Sequence, residues 1–353
     1  MSFGGLYQAA GHTIARADLK RERYVLGVDG GATKTVALIG TEHGRILGRG
    51  QSGSSNYHNV GAKAACNAIR DAVKEAKKKA RIGTSRLQVA IVALAAADSP
   101  RDKATLLRFL RRTRIAREIA VIHDTVAALQ AATDGRPGLI VISGTGCVAA
   151  GINRVGLYAR AGGWGYLIDD EGSAYDIGKK ALKSAFRTLD GRAPSNRLAP
   201  ILKRKLRVGD LEDALNPIYS NGLGVDGIAA LTPLVSRLAP RDKVCRDILT
   251  GAGESLGELA CVVAKKLGMT RDAFPIVLVG GTFKAGKYLL RPFLATVRKK
   301  CPRASVRILK IEPALGALSL AVAEVHRRPS SGRCGCGFRW MKFRKSRFHF
   351  LLR

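Results

Sequence analysis

Residues 24–40 place a carboxylate beside a glycine-rich turn. An apolar run ends at Asp29, the turn Gly30-Gly31-Ala32-Thr33-Lys34-Thr35 follows, and a second apolar run begins at Val36. The β-branched residues on both sides predict two strands joined by a tight hairpin. Small residues let backbone N–H groups approach an anion closely, and Asp29 could hold a hydrated Mg²⁺ against phosphate oxygens. The stretch therefore predicts a phosphate site, although an ordinary glycine-rich hairpin stays open and the spacing is not that of a Walker loop.

The same pattern recurs later in the chain. A buried strand over 139–142 precedes the turn Ser143-Gly144-Thr145-Gly146, and a second strand covers 147–151. A third glycine-rich strand end follows 276–279, at Gly280-Gly281-Thr282. Two hairpins of one kind, separated by a turn at 134–138, indicate a duplicated α/β architecture.

Single polar residues at strand ends and in loops are the other candidates. Asp124 follows a predicted strand at 119–122 and begins a helix, where a carboxylate can take a proton from a substrate hydroxyl, or can simply cap the helix. Asn56 ends a polar loop and is either a ligand residue or a turn residue. Asp170 precedes a helix that runs to about residue 189, which it could cap.

Composition limits the classes of function. The 353 residues suffice for two domains, and the formal net charge of +33 favours polyanionic partners. No RRM, KH, zinc-finger or helix-turn-helix signature indicates a nucleic-acid partner despite this charge, and no apolar run is long enough for a membrane span. Seven scattered cysteines are interpreted as reduced thiols, so a cytoplasmic location is expected.

These motifs, in their order, resemble the sugar kinase/actin/heat-shock-70 ATPase superfamily. More narrowly, the chain is similar to the N-acetylglucosamine kinase and benzoyl-CoA-reductase-type ATPase family over about 24–326. Five pieces carry the resemblance: VDGGATKT (28–35), ISGTGC (142–147), GGWG with DDEGSAY (162–165 and 169–175), VGGT (279–282) and the small-residue stretch 314–318.

The resemblance implies two ribonuclease-H-like (actin-like ATPase) domains with a central nucleotide and sugar cleft. The implied divisions are an extension at 1–23, domains at 24–135 and 136–314, a returning helix at 315–326 that packs on the first domain, and a basic tail at 327–353.

The resemblance also implies a role for each matching position. Asp124 would be the catalytic base and Asp29 the Mg²⁺ ligand. ATP would contact Gly30, Gly31, Ala32, Thr33, Lys34, Thr35, Gly144, Thr145, Gly146, Gly280, Gly281 and Thr282. The sugar would contact Asn56, Asp124, Gly162, Gly163 and Asp170.

The expected function is ATP- and Mg²⁺-dependent phosphorylation of the 6-hydroxyl of a hexose or amino sugar. The alternative is an ATPase activator of a CoA-ester reductase or dehydratase system; a sugar sensor or nucleic-acid-binding protein is a third option. The family's common homodimer stays open. Ala32, Cys147 and Asp169 depart from the usual family residues, and Asp169 adds charge near the expected sugar position.

Overall fold

The computed structural model describes residues 22–95, 97–220, 222–327 and 342–343. The strands are β1 Tyr24–Gly30, β2 Thr35–Thr41, β3 Ile46–Ser52, β4 Leu87–Leu94, β5 Ala116–His123, β6 Gly138–Ser143, β7 Cys147–Ile152, β8 Leu157–Gly162, β9 Pro275–Val279, β10 Ser305–Ile308 and β11 Lys342–Phe343. The α-helices are α1 Tyr57–Ala80, α2 Pro100–Thr113, α3 Asp124–Thr133, α4 Ala174–Leu189, α5 Leu198–Leu206, α6 Leu215–Tyr219, α7 Gly224–Ala229, α8 Thr232–Leu238, α9 Lys243–Leu267, α10 Lys287–Lys300 and α11 Pro313–Arg327.

The chain divides into two units. Of the described residues, those up to Arg136 and those from Ile311 onward belong to the first unit, and Pro137–Lys310 is the second. The chain returns to the first unit after Lys310, whereas the predicted boundary followed residue 314. The reason is that α11 begins at Pro313 and packs on α3 and β1 of the first unit. Most of the predicted extension at 1–23 and tail at 327–353 lies outside the described residues.

The first unit has a mixed sheet in the order β3-β2-β1-β4-β5. β1, β2 and β3 form an antiparallel meander, whereas β4 and β5 run parallel to β1. The apolar runs of β1 and β4 are buried on both faces, as expected for central strands covered by helices. The carboxyl ends of β1, β4 and β5 therefore meet at one edge of the sheet.

The helices of the first unit begin at identifiable caps. Asn56 caps α1, and its side-chain oxygen accepts the N–H of His58. Ser99 and Asp102 form a reciprocal capping box at the start of α2, which also has proline at its first position. α1 buries Ile69, Val73 and their small neighbours at helical spacing against the sheet.

The second unit repeats this topology. Its strands lie in the order β10-β9-β6-β7-β8, with β6, β7 and β8 antiparallel and β9 and β10 parallel to β6. This order matches that of the first unit strand for strand, so the predicted duplicated α/β architecture is confirmed. The sequence pattern did not predict β8, in which Arg160 interrupts the apolar run. Within the described residues, no helix is both long enough and apolar enough to cross a membrane.

Candidate functional site

The first glycine-rich turn leaves backbone donors unused. Gly31 N–H donates to the carbonyl of Lys34 at 3.0 Å, which closes the hairpin. The N–H groups of Ala32, Thr33 and Lys34 have no acceptor among the described residues, and all three residues are exposed. Consecutive exposed N–H groups form an anion-binding concavity. The hairpin therefore has the donors that the sequence predicted.

Thr35 differs from the other residues of this turn. Its hydroxyl is fully buried, donates to the carbonyl of Gly53 at 2.7 Å and lies 2.8 Å from Oγ of Ser55. A Cβ on Gly30 would lie 2.1 Å from the same Ser55 oxygen. Thr35 therefore fixes the hairpin against the loop at 53–56 and has no hydroxyl proton left for a phosphate.

Asp29 and Asp124 bring two carboxylates to the carboxyl edge of the first sheet. Asp29 precedes the last residue of β1, and Asp124 follows the last residue of β5. Burial, together with the negative charges of Asp124 and Glu312 and against the opposing charge of Lys34, raises the pKa of Asp29 to about 7. The two carboxylates thus repel each other electrostatically in a setting that water screens poorly.

His123, rather than Asp124, caps α3. Its Nδ1 accepts the N–H of Thr125 at 3.2 Å, and its Nε2 lies 3.1 Å from Oδ1 of Asp98. This pairing assigns the ring proton to Nε2. Oδ1 of Asp124 is buried and lies 2.9 Å from Nδ1 of His123. Because that nitrogen is already an acceptor, Oδ1 receives no hydrogen bond among the described residues.

This geometry separates the two roles that the sequence left open for Asp124. A carboxylate that caps a helix has its oxygen committed to backbone N–H groups. Here the imidazole of His123 fulfils the capping function, and the Asp124 oxygen stays available to another donor. The sequence signal for this exchange is the polar residue directly before the aspartate.

Asn56 combines a structural contact with a free group. Its Oδ1 accepts the N–H of His58 at 3.1 Å, which is the turn role considered from the sequence. Its amide nitrogen donates to no acceptor among the described residues, and the side chain is partly exposed. Asn56 can therefore cap α1 and donate a hydrogen bond to a ligand at once.

The second glycine-rich turn is fixed by contacts within the second unit. Ser143 Oγ donates to the carbonyl of Gly172 at 3.0 Å, and Ala174 N–H donates to the carbonyl of Gly144 at 2.8 Å. Thr145 Oγ1 lies 3.1 Å from a carboxylate oxygen of Asp226, a contact that the sequence did not predict. The N–H groups of Thr145 and Gly146 have no acceptor among the described residues.

Asp170 holds the end of this second turn. It is 5% exposed, adopts a left-handed φ of 75°, and its Oδ1 accepts the N–H of Cys147 at 2.9 Å. Burial raises its pKa above the ordinary value, in part against the hydrogen bond from Cys147. The helix cap considered for Asp170 is instead Ser173, whose hydroxyl accepts the N–H of Asp176.

The third glycine pair contacts the second turn. β6 and β9 are parallel neighbours, and a Cβ on Gly280 would lie 2.0 Å from the carbonyl oxygen of Ser143. Only glycine fits at this position, which also has a φ of 121°. Thr282 is buried with its hydroxyl 3.4 Å from the carbonyl of Gly144, whereas Gly281 has open space around it.

Gly162 and Gly163 redirect the chain where β8 ends. Both have left-handed φ values, of 73° and 76°. The segment that follows exposes Trp164, Leu167 and Ile168. In the second unit, the structure thus brings together the second turn, the third glycine pair and Asp170, and it places Gly162 and Gly163 at the start of the segment leading to Asp170.

The donor set at Asp29 fits a hard divalent cation only in part. Carboxylate oxygens are suitable Mg²⁺ ligands, and a cation would relieve the repulsion between Asp29 and Asp124. However, the described residues contain no group of three or more His, Cys, Asp or Glu side chains that could hold a metal. Phosphate oxygens and water would therefore have to complete the coordination shell.

Comparison with known proteins identifies the family. A model of the BadF/BadG/BcrA/BcrD ATPase family matches residues 26–321. The chain is 31% identical to N-acetylmuramic acid/N-acetylglucosamine kinase of Clostridium acetobutylicum, covering 86% of this chain and 99% of that one. It is also 31% identical to N-acetyl-D-glucosamine kinase of Dictyostelium discoideum, with 84% and 97% covered.

A solved structure supports the same assignment. The fold matches that of a protein from Chromobacterium violaceum, described as an N-acetylglucosamine kinase, with a TM-score of 0.70 and 25% identity over 85% of this chain and 99% of that one. A ROK-family hexokinase from Thermus thermophilus has the same fold at 16% identity, with a TM-score of 0.52 and 86% and 99% covered. By its sequence and its duplicated fold, the chain belongs to the BadF/BadG/BcrA/BcrD ATPase family.

Proposed function

We propose that the protein is an ATP-dependent sugar kinase that phosphorylates the 6-hydroxyl of an amino sugar or hexose of the N-acetylglucosamine, glucosamine or glucose type. The observation that carries this proposal is the buried Oδ1 of Asp124, which receives no hydrogen bond among the described residues. It lies at the same sheet edge as Asp29 and the exposed N–H groups of the first turn. The names of the two relatives at 31% identity support the substrate class.

The chemistry assigned to Asp124 is proton transfer. The sugar hydroxyl donates its hydrogen bond to the carboxylate, which orients the oxygen and takes the proton as the new O–P bond forms. The bond between the γ-phosphorus and the bridging oxygen breaks, and ADP leaves with that oxygen. Because such transfers have a loose transition state, most of the rate enhancement comes from positioning and electrostatics.

The other site residues bind ATP, bind the sugar or position the glycine-rich turns. Backbone N–H groups of Ala32, Thr33 and Lys34, and those of Thr145 and Gly146, bind phosphate oxygens of ATP. Gly280 and Gly281 lie against the nucleoside, while the hydroxyls of Thr35 and Thr282 position the turns. The amide of Asn56 donates to the sugar, and Gly162, Gly163 and Asp170 shape its site in the second unit. When bound through Asp29, Mg²⁺ supplies charge neutralisation for the phosphates.

A coupled ADP-release assay tests the function directly. The sugars to compare are N-acetylglucosamine, glucosamine, glucose, mannose, N-acetylmannosamine and N-acetylmuramic acid, each with ATP and Mg²⁺. We expect ADP release that depends on one of the first three, and a product phosphorylated on O6 by NMR. ADP release that no sugar stimulates, or a product phosphorylated on another oxygen, would contradict the proposal.

Asp124→Asn tests the catalytic base. Loss of a positioned general base lowers kcat by about a hundredfold or more. Because Oδ1 of Asp124 receives no hydrogen bond, we expect the fold to be unchanged. Removing this charge relieves the repulsion on Asp29, so ATP binding should be kept. Asp71→Asn removes one exposed carboxylate of the same unit and serves as the control. Near-normal turnover in Asp124→Asn would remove this residue from the mechanism.

A further inference from the structure

A shallow cavity of about 610 Å³, open to solvent, lies in the first unit, away from the residues assigned to catalysis. It is bounded by the C-terminal half of α1 and by the turn between α2 and β5. Its lining contains two apolar side chains, Val73 and Ile115, and no acidic or aromatic residue. Six cationic side chains line it: Arg70, Lys74, Lys77, Lys78, Arg81 and Arg114.

The cavity is at the opposite edge of the sheet from Asp29 and Asp124. Thr113, Arg114 and Ile115 directly precede β5, whereas Asp124 directly follows it. β5 has eight residues, so its two ends are separated by about 23 Å at the usual rise of an extended chain. An anion in this cavity is therefore distinct from a phosphate held at the first glycine turn.

The cations of the cavity have no ion-pair partner among the residues that the structure describes. None of the ion pairs found among the described residues involves any of the six cations. The nearby Glu75 is occupied by Lys79 and by the N–H of Gln51. Lys77 Nζ donates to the carbonyl oxygen of Ser85, which is uncharged, at 2.9 Å.

The C-terminal ends of two helices offset a small part of this positive charge. α1 and α2 both end at the cavity, with Arg81 and Arg114 as their left-handed caps. Each helix C-terminus is equivalent to about half a negative charge, so the two together offset about one of the six positive charges. In addition, burial lowers the pKa of Lys77, which shows that its charged form is poorly solvated. A bound anion would balance the remaining positive charge and favour the charged form of Lys77.

We propose that this cavity binds a compact anion that carries several phosphate groups. The concave shape and the convergence of six cations fit a small ligand of high charge density. A single-stranded nucleic acid is less suited, because such strands bind by stacking bases on aromatic side chains and the lining has none.

Calorimetry with inorganic tripolyphosphate tests the site on the full chain at physiological ionic strength. Lys74→Glu/Lys78→Glu reverses two exposed cations of the lining, one helical turn apart on α1. Lys179→Glu/Lys183→Glu makes the same change at the same spacing on exposed positions of α4, and is the matched control. Lys74→Gln/Lys78→Gln is a milder version in case charge reversal disturbs α1. Hydrogen exchange of 70–83 and 111–116 locates the bound anion.

We expect tripolyphosphate to protect these two segments in the wild-type chain. Affinity should fall about tenfold or more in Lys74→Glu/Lys78→Glu, less in the glutamine version, and stay within about twofold in the α4 control. Kinase activity without tripolyphosphate should be unchanged in all three variants. An equal loss in the α4 control, or absence of protection in both segments, would overturn the proposal. So would duplex RNA that displaces tripolyphosphate at lower concentration, because it would indicate an extended nucleic-acid surface.

Discussion

Asp170 is unfavourable to the fold in two ways: its carboxylate is buried, and its backbone has a positive φ. Burial raises its pKa, so the folded protein binds this proton more tightly than the unfolded chain, where the group titrates near 3.9. The contribution of Asp170 to stability therefore falls as pH rises from about 4 through its folded pKa. What compensates is the hydrogen bond that it accepts from Cys147 N–H.

Asp170→Asn should stabilise the protein increasingly above pH 4. Asparagine keeps an oxygen acceptor for Cys147, tolerates a left-handed φ well and has no charge to desolvate. Asp170→Ala should instead cost about 1–3 kcal/mol, because it leaves the buried N–H of Cys147 unpaired. Melting temperatures from pH 4 to 8 measure both effects, with Asp71→Asn, which changes an exposed carboxylate of the first unit, as control. A wild-type advantage over Asp170→Asn that grows with pH would show that the carboxylate stabilises the fold.

Thr35 and Thr33 give a second comparison within one turn. The hydroxyl of Thr35 is buried and donates to Gly53, whereas Thr33 is exposed. Thr35→Val leaves that carbonyl and Ser55 without a partner, and we expect a loss of about 1–3 kcal/mol. Because the same contact fixes the loop that ends at Asn56, KM for the sugar should rise as well. Thr33→Val should not change stability in chemical denaturation, and equal effects of the two changes would contradict this assignment.

At the scale of elements, α11 lies so close to α3 and β1 that no Cβ atom fits at two glycine positions. A Cβ on Gly316 would lie 1.9 Å from the carbonyl of Ala127 in α3, and one on Gly27 in β1 would lie 2.2 Å from the N of Leu318. Gly316→Ala should therefore cost several kcal/mol, at the upper end for single substitutions. Gly251→Ala in α9, where the Cβ meets open space, should gain about 1 kcal/mol from helix propensity. Denaturant midpoints of the two variants that shift in the same direction would contradict this account.

The sequence predicted elements best where the burial pattern is local. The apolar run over 87–94 predicts a buried strand, and β4 has these bounds, Leu87–Leu94, with every residue but one buried. The apolar stripe over 60–80 predicts an amphipathic helix, whereas α1 begins at Tyr57, since the cap at Asn56 lies upstream of that stripe. β8 was missed because Arg160 interrupts its apolar run, although four of its six residues are buried.

Site residues were predictable by type but not by contact. Sequence indicated Asp124 and the glycine turns, yet it could not show that His123 takes over the helix cap, because that depends on a ring orientation. It could not separate Thr35, with its buried hydroxyl, from the exposed Thr33, because the pleat and the loop at 53–56 decide their surroundings. The contact of Asp226 with Thr145 joins residues far apart in the chain, which no local pattern encodes.

At the scale of the whole molecule, the two units differ in the number of chain segments that form them. The second unit is one continuous segment, Pro137–Lys310, with its own core over 139–306. The first unit needs two segments, since α11 returns after residue 310. α11 buries apolar side chains in the first unit, namely Ala314, Ala317, Leu318, Leu320, Ala321 and Val325.

This difference predicts the behaviour of fragments. Residues 137–310 should fold alone with a cooperative thermal transition, whereas 22–136 should not. The three larger buried side chains of α11, Leu318, Leu320 and Val325, contribute about 1.5–3 kcal/mol each. Their sum is comparable to the whole stability of a domain. Fusing 311–327 to 22–136 through a flexible linker should restore a cooperative transition in circular dichroism. The same fusion with Leu318→Asp should not, because it places a carboxylate at a position that is buried against β1. Cooperative unfolding of 22–136 alone would show that α11 is dispensable to the first unit.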